Sequence, residues 1–207
     1  MFELVKPMEI EARSFEIITE LLGDRVFVPE QAPVIKRVIH TTADFDYADN
    51  LVFSPDAVEA GLAALKSGCH IVTDTSMAMA GINKTILGKL GGQVHCYIAD
   101  SDVAEEARER GITRSAVSME RAANLDKPCI FAIGNAPTAL IALHELMQAG
   151  RVNPALIVGV PVGFVNVVES KELILSHAVP YIVAKGRKGG SNVAAAICNA
   201  LLYQITR

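Results

Sequence analysis

Cysteine is scarce in this chain: four in 207 residues, at Cys69, Cys96, Cys129 and Cys198, with no C-x-x-C pair. That spacing offers no disulfide framework and reads as reduced thiols in the core of a cytoplasmic protein. Positive charge is scarce too. The net charge is −4 and no basic patch is interleaved with aromatics, so the electrostatic footprint of a nucleic-acid binder is missing. Long apolar runs are also lacking. A stretch such as "ALIVGVPVGFVNVV" contains Gly and Pro and falls short of the ~18 residues a spanning helix needs, so no membrane partner is expected. The opening "MFELVKPMEIEARSFEIITELL" has charges every few residues, unlike a signal peptide or membrane anchor.

Several motifs are missing as well. There is no G-x-G-x-x-G after the first apolar run and no G-x-x-x-x-G-K-[ST], which removes the usual support for a dinucleotide or nucleoside triphosphate. No G-x-S-x-G elbow or Ser-His-Asp arrangement points to a hydrolase. In "CHIV" and "VHCY" a Cys stands beside a His, but strand neighbours point to opposite faces and cannot chelate as a unit, so no metal site is expected. His144 and His177 fall in helix-like segments with no catalytic context. No linker, low-complexity tract or repeat divides the chain, and residues 1–207 read as one domain.

What is present is alternation. Six short runs ("RVIHTT", "HIVTDT", "VHCYIAD", "CIFAIGN", "ALIVGVP" and "PYIVAKG") are continuously apolar, as parallel strands covered on both faces are. Segments with helical spacing lie between them. One, "SPDAVEAGLAALKSG", is expected to open with Ser54 as N-cap and Pro55 at its first position and to close on Gly68; "APTALIALHELMQAG" starts near Pro137 and ends at Gly150. Residues 8–22 read as a further amphipathic helix. The expected fold class is α/β, three-layer, with a mostly parallel sheet and helices on both faces.

In such sheets ligands bind beyond the carboxyl ends of the strands. The residues that follow the runs are His40-Thr41-Thr42, Asp74-Thr75-Ser76, Asp100-Ser101-Asp102, Gly134-Asn135-Ala136, Pro161-Val162-Gly163 and the segment from Lys185 to Ser191. A polar rim there can be purely structural. The last segment, "AKGRKGGSNVAAAI", mixes three cations with three glycines ahead of an alanine-rich helix, a pattern that suits carboxylate or phosphate. A solvated basic turn would read the same way. "IGNAPTAL" is a second glycine-containing approach to a helix, and "GVPVGFVNVVESKE" a third, less polar one.

"RVIHTTADFDYADN" passes from an apolar run to an imidazole, two threonines and three aspartates. Either a strand leaves the core into a polar loop, or His40 is an acid or base at the mouth of a site. A side chain with an unperturbed pKa of about 6.5 can exchange a proton near neutrality, and Asp44 or Asp46 could orient it.

These motifs, in this order, resemble the precorrin-8X methylmutases of cobalamin biosynthesis. The likeness runs through "IEARSF", "VIHTTADFDYADNLVFSP", "GITRSA", "AIGNAPTAL", "GVPVGFVNVVESKE" and "GRKGGSNVAAAICNAL", and more loosely through "TDTSMAMAGI". The resemblance implies an isomerase that moves a methyl group from C-11 to C-12 of a tetrapyrrole, giving hydrogenobyrinate or, with cobalt present, cobyrinate. It implies a homodimer without organic cofactor, any cobalt arriving inside the substrate, and the cobalt-pathway members are the more similar. By position in the motifs, His40 would be the catalytic proton donor or hydrogen-bonding group. Arg13, Ser14, Thr41, Arg114, Ser115, Asn135, Arg187, Gly189 and Ser191 would lie near substrate. Two other readings stay open at this point: an anion- or nucleotide-binding α/β enzyme using "GRKGGS", and a non-catalytic corrinoid carrier.

Overall fold

The computed structural model describes residues 5–206. Six strands form one sheet in the order β1-β6-β5-β4-β2-β3: β1 (Leu51–Phe53), β2 (His70–Thr73), β3 (Val94–His95), β4 (Cys129–Ile133), β5 (Leu156–Gly159) and β6 (Tyr181–Ala184). Every pairing is parallel except that of β1 with β6, so the antiparallel strand sits at one edge. The expected α/β architecture is what the chain adopts.

The runs look continuously apolar because both faces are covered, yet the two-residue period still divides them. Ile71, Ile130, Ala132, Leu156, Val158, Ile182 and Ala184 join one buried cluster; Val72, Phe131, Ile133, Ile157 and Val183 join the other. The first face is covered by α1 (Ile10–Leu22), α2 (Ala32–Thr42), α4 (Ala57–Lys66), α5 (Ser76–Gly81), α6 (Lys84–Lys89) and α11 (Ser191–Thr206). The second is covered by α8 (Arg114–Ala122), α9 (Pro137–Gln148) and α10 (Val167–Leu175), with α7 (Ser101–Arg110) packed outside α8. Phe131, Ile130 and Leu140 are fully enclosed, so truncating any one to Ala would remove about 3 kcal/mol. Cys69, Cys129 and Cys198 lie in these layers as free thiols, and burial pushes them up to about 12, 11 and 12 respectively. They are thiols, not thiolates, near neutrality.

Three expectations change. "RVIHTT" is not a strand but the second half of α2. Pro33 stands at its start, and Val34, Ile35, Val38 and Ile39 are buried while Lys36, Arg37 and His40 are not. Those buried positions repeat at helical spacing, which the β-branched residues at its end concealed. In its place the short run "LVF" forms β1, too brief to stand out by period. "VHCYIAD" contributes only Val94 and His95 to the sheet.

The third concerns α4. Ser54 does not cap it: the helix begins at Ala57 behind Asp56, which takes a left-handed φ of 57°. The Ser54 hydroxyl instead accepts from the Tyr181 N–H at 2.9 Å and ties β6 to the turn. By contrast α9 begins at Pro137 and is followed by Gly150 at φ 66°, as its sequence implies.

Candidate active site

The carboxyl ends of β2, β4, β5 and β6 open on one edge of the sheet, and the antiparallel β1 begins there, Leu51 opposite Ala184. The Lys185 N–H donates to Asn50 O at 2.8 Å, which fixes α3 (Tyr47–Asn50) at the same edge. His40, in the last turn of α2, is therefore carried to the strand ends although its segment is helical.

The His40 side chain is exposed, and its ring stacks on Phe15 of α1 with centroids 5.2 Å apart and planes 5° from parallel. Among the described residues no hydrogen bond engages its ring nitrogens. Asp44 and Asp46 do not orient it. Both carboxylates accept from Lys188 Nζ at 2.6 Å, and that bond, more than the opposing effect of burial, holds the Asp44 carboxyl below the usual carboxylate range. The segment after His40 is thus bolted to the basic loop, and Lys188 spends its charge within the fold.

The loop from Lys185 to Gly190 leads into α11. Arg187 is exposed at its tip, and its carbonyl accepts from the Gly163 N–H at 3.2 Å. Gly189 lies against the end of β5 so closely that a Cβ there would stand 2.1 Å from Val160 O. Ser191, the first residue of α11, places its hydroxyl 2.8 Å from that of Thr75. Thr75 in turn accepts from the Ala78 N–H and caps α5. Beneath the loop runs Lys171 of α10, 1% exposed, whose ammonium donates to Gly186 O at 2.8 Å and Lys188 O at 2.9 Å.

The glycine-containing turn of "IGNAPTAL" is built differently. Asp74, 1% exposed, accepts from the N–H groups of Gly134 (2.8 Å), Asn135 (2.8 Å) and Ala136 (2.7 Å). Burial raises its pKa while the three N–H groups pull it down. This turn already holds a carboxylate, so Asp74 shapes the loop. The Asn135 side chain is exposed on the outer side.

Other sequence-predicted residues divide. Arg114 is exposed and Ser115 buried at the start of α8, where Thr113 bonds Thr138 of α9 at 2.9 Å, which places both at the strand-end edge. The Thr41 hydroxyl donates to Arg37 O, and that of Ser14 to Ile10 O, each within its own helix. Arg13 pairs with Glu16 and Glu20. It stands two residues from Phe15, about 200° around α1 from the ring that meets His40. The residues that sequence reasoning passed over are apolar and exposed at this edge: Met77 (69%), Phe164 (83%) and Val165 (78%). An apolar run interrupted by Gly and Pro was their signal. Standing after β2 and β5, they give this edge exposed apolar surface, a shelf on the same side of the sheet as the exposed Lys185 and Arg187; a separate cavity of about 400 Å³ lies between α1, α2 and α11, lined by Phe15, Arg37 and Tyr203.

The histidines outside this edge pair among themselves: His70 with His95, and His144 with His177 at 2.7 Å, the latter just beyond α10. Among the described residues no group of three or more His, Cys, Asp or Glu could hold a metal ion, and no helix is long and apolar enough to cross a membrane.

The family model described as precorrin-8X methylmutase matches residues 9–204. The chain belongs to the precorrin-8X methylmutase family. It is 48% identical to a cobalt-precorrin-8 methylmutase of Salmonella typhimurium, covering 99% of each chain. It is 46% identical to a precorrin-8X methylmutase of Pseudomonas aeruginosa, over 80% of each. The crystal structure of a precorrin-8X methylmutase from Thermus thermophilus superposes with a TM-score of 0.87 at 39% identity, over 96% of this chain and 98% of that one. Methylmutases of this family are isomerases of cobalamin biosynthesis, and this chain is one of them.

Proposed function

We infer that the chain moves the methyl group at C-11 of cobalt-precorrin-8 to C-12, giving cobyrinate, with His40 as the group that protonates or hydrogen-bonds the ring. One carbon–carbon bond breaks, another forms in the same molecule, and nothing is added or lost. Such a shift asks for orientation and one well-placed proton. The observation that carries this reading is the meeting of His40, the Lys185–Ser191 loop and the apolar shelf at one sheet edge. Met77, Phe164 and Val165 suit the face of a large macrocycle, while Arg114, Lys185 and Arg187 suit the acetate and propionate groups around it. The Phe15 ring fixes the plane of the imidazole and leaves its edge for substrate.

The cobalt form is favoured by relatives such as those of Priestia megaterium and Salmonella typhimurium, each named a cobalt-precorrin-8 methylmutase. Cobalt enters as part of the ring, and no organic cofactor takes part. The working unit is a homodimer in which a second copy walls the open shelf, and the protein acts in the cytoplasm. Exposed Ile10, Ile17 and Leu21 along α1 offer further apolar contact area. The test is turnover of precorrin-8 with and without cobalt, followed by the change in ring absorbance, alongside sedimentation of the free protein. Faster conversion of the cobalt form by a dimer is expected; conversion of the metal-free form alone, or full activity as a monomer, would overturn the respective part.

A further inference from the structure

Lys171 is a buried ammonium with no buried anion paired to it among the described residues. Its ammonium donates to the carbonyls on either side of Arg187, and burial, with no charged neighbour contributing, pushes the amine down to about 8. Around it, Glu169 and Glu172 on α10 are exposed to water, and Lys188 on the loop is already matched by Asp44 and Asp46. Neither His144 of α9 nor any ionisable group of β5 or β6 forms an ion pair with it among the described residues. An ammonium held this way normally has a carboxylate partner, because carbonyl dipoles replace only part of its hydration.

We propose that Lys171 is a positioning residue for the substrate site, holding the Gly186 and Lys188 carbonyls inward so that Arg187 points out, and that its charge is balanced by a carboxylate of the bound ring. This rests on the reading that the Lys185–Ser191 loop receives those carboxylates. The carbonyls it draws inward leave the loop's positive side chains, rather than its oxygen atoms, facing the ligand. A cation beneath an anion site costs folding free energy in the empty protein and returns it when the anion arrives.

Two consequences follow with opposite signs. Folded Lys171 holds its proton less tightly than an unfolded lysine, so its contribution to stability rises as pH climbs from about 8 towards the ordinary lysine value of 10.5. Ligand affinity falls across the same window, as the charge that meets the carboxylate is lost. A purely structural lysine gives the first trend without the second.

The experiment is calorimetric titration of the polycarboxylate product, cobyrinic acid, at about pH 8.5 in buffers of different ionisation enthalpy. The wild type is expected to take up a fraction of a proton per product bound. Lys171→Met should lose that uptake and bind the product about tenfold more weakly at neutral pH, Lys171→Arg should recover most of the affinity, and the fully esterified product should show no difference among the three. Product binding by the wild type without proton uptake overturns the proposal alone, and needs no variant to fold. No product binding at all overturns the reading of the loop on which it rests.

Discussion

Two glycine-containing turns lead into helices at the same sheet edge, and they are built on opposite charges. The Gly134–Ala136 turn presents three N–H groups, all taken by the chain's own Asp74. The Lys185–Gly190 loop has its carbonyls taken from below by Lys171 and keeps Arg187 in solvent. Seen as sequence, both are approaches to a helix N-terminus suited to an anion. Only the partner supplied from elsewhere in the chain separates them: Asp74 takes the N–H groups of the first, while Lys171 takes carbonyls of the second and leaves Arg187 exposed. A glycine-rich turn before a helix is thus a place for a charge, not yet a site.

The largest expected effect breaks the first turn. Asp74→Ala leaves three donors, two of them buried, without an acceptor and should lower unfolding free energy by about 3–5 kcal/mol, measured by denaturant melts. Asp74→Asn, retaining one acceptor oxygen, should lose about half as much. An Asp74→Ala protein of wild-type stability would mean the turn does not depend on its internal carboxylate.

Gly189→Ala attacks the second loop by shape. The new methyl would stand 2.1 Å from Val160 O and 2.8 Å from Pro161 O, so the loop must lift from β5. We expect a stability loss of about 1–3 kcal/mol and, separately, a loss of product affinity. Gly186→Ala meets no atom but must hold a φ of 75°, and should cost about 1 kcal/mol.

Reading these two turns from sequence alone was bound to be incomplete. The apolar runs of β2, β4, β5 and β6 were legible because both sheet faces are covered, and so was the edge at which those strands end. His40 was legible as a candidate, though its segment is α2, because helix and strand both deliver it to that edge. Asp74 lies 60 residues from Gly134, and Lys188 142 from Asp46. Pairings at that range leave no mark in local spacing, so two aspartates looked like partners for His40 when they belong to Lys188. Phe164 and Val165 fall in the less polar approach "GVPVGFVNVVESKE", whose sequence did not show that these side chains stay exposed.

Phe164→Ser tests the shelf between the two turns. A side chain 83% exposed contributes little to folding, so stability should move by less than about 0.5 kcal/mol, while product affinity falls about tenfold as ring contact is lost. The smallest effect concerns the tie between Lys188 and Asp44. The lysine bond depresses the Asp44 carboxyl, so the tie's contribution is present above the ordinary carboxylate value and is lost below it, as pH falls through the depressed folded value. Melting temperatures of wild type and Asp44→Asn should therefore differ slightly at neutral pH and converge below roughly pH 4.

We propose that His40 performs the proton step on a ring bound at this edge. Its most direct test is the absorbance of cobalt-precorrin-8 mixed with wild type and with His40→Ala, read alongside equilibrium binding of the product. Turnover should fall by about a hundredfold or more in the variant, with product affinity changed by less than about threefold. Turnover that survives the loss of the imidazole would contradict it.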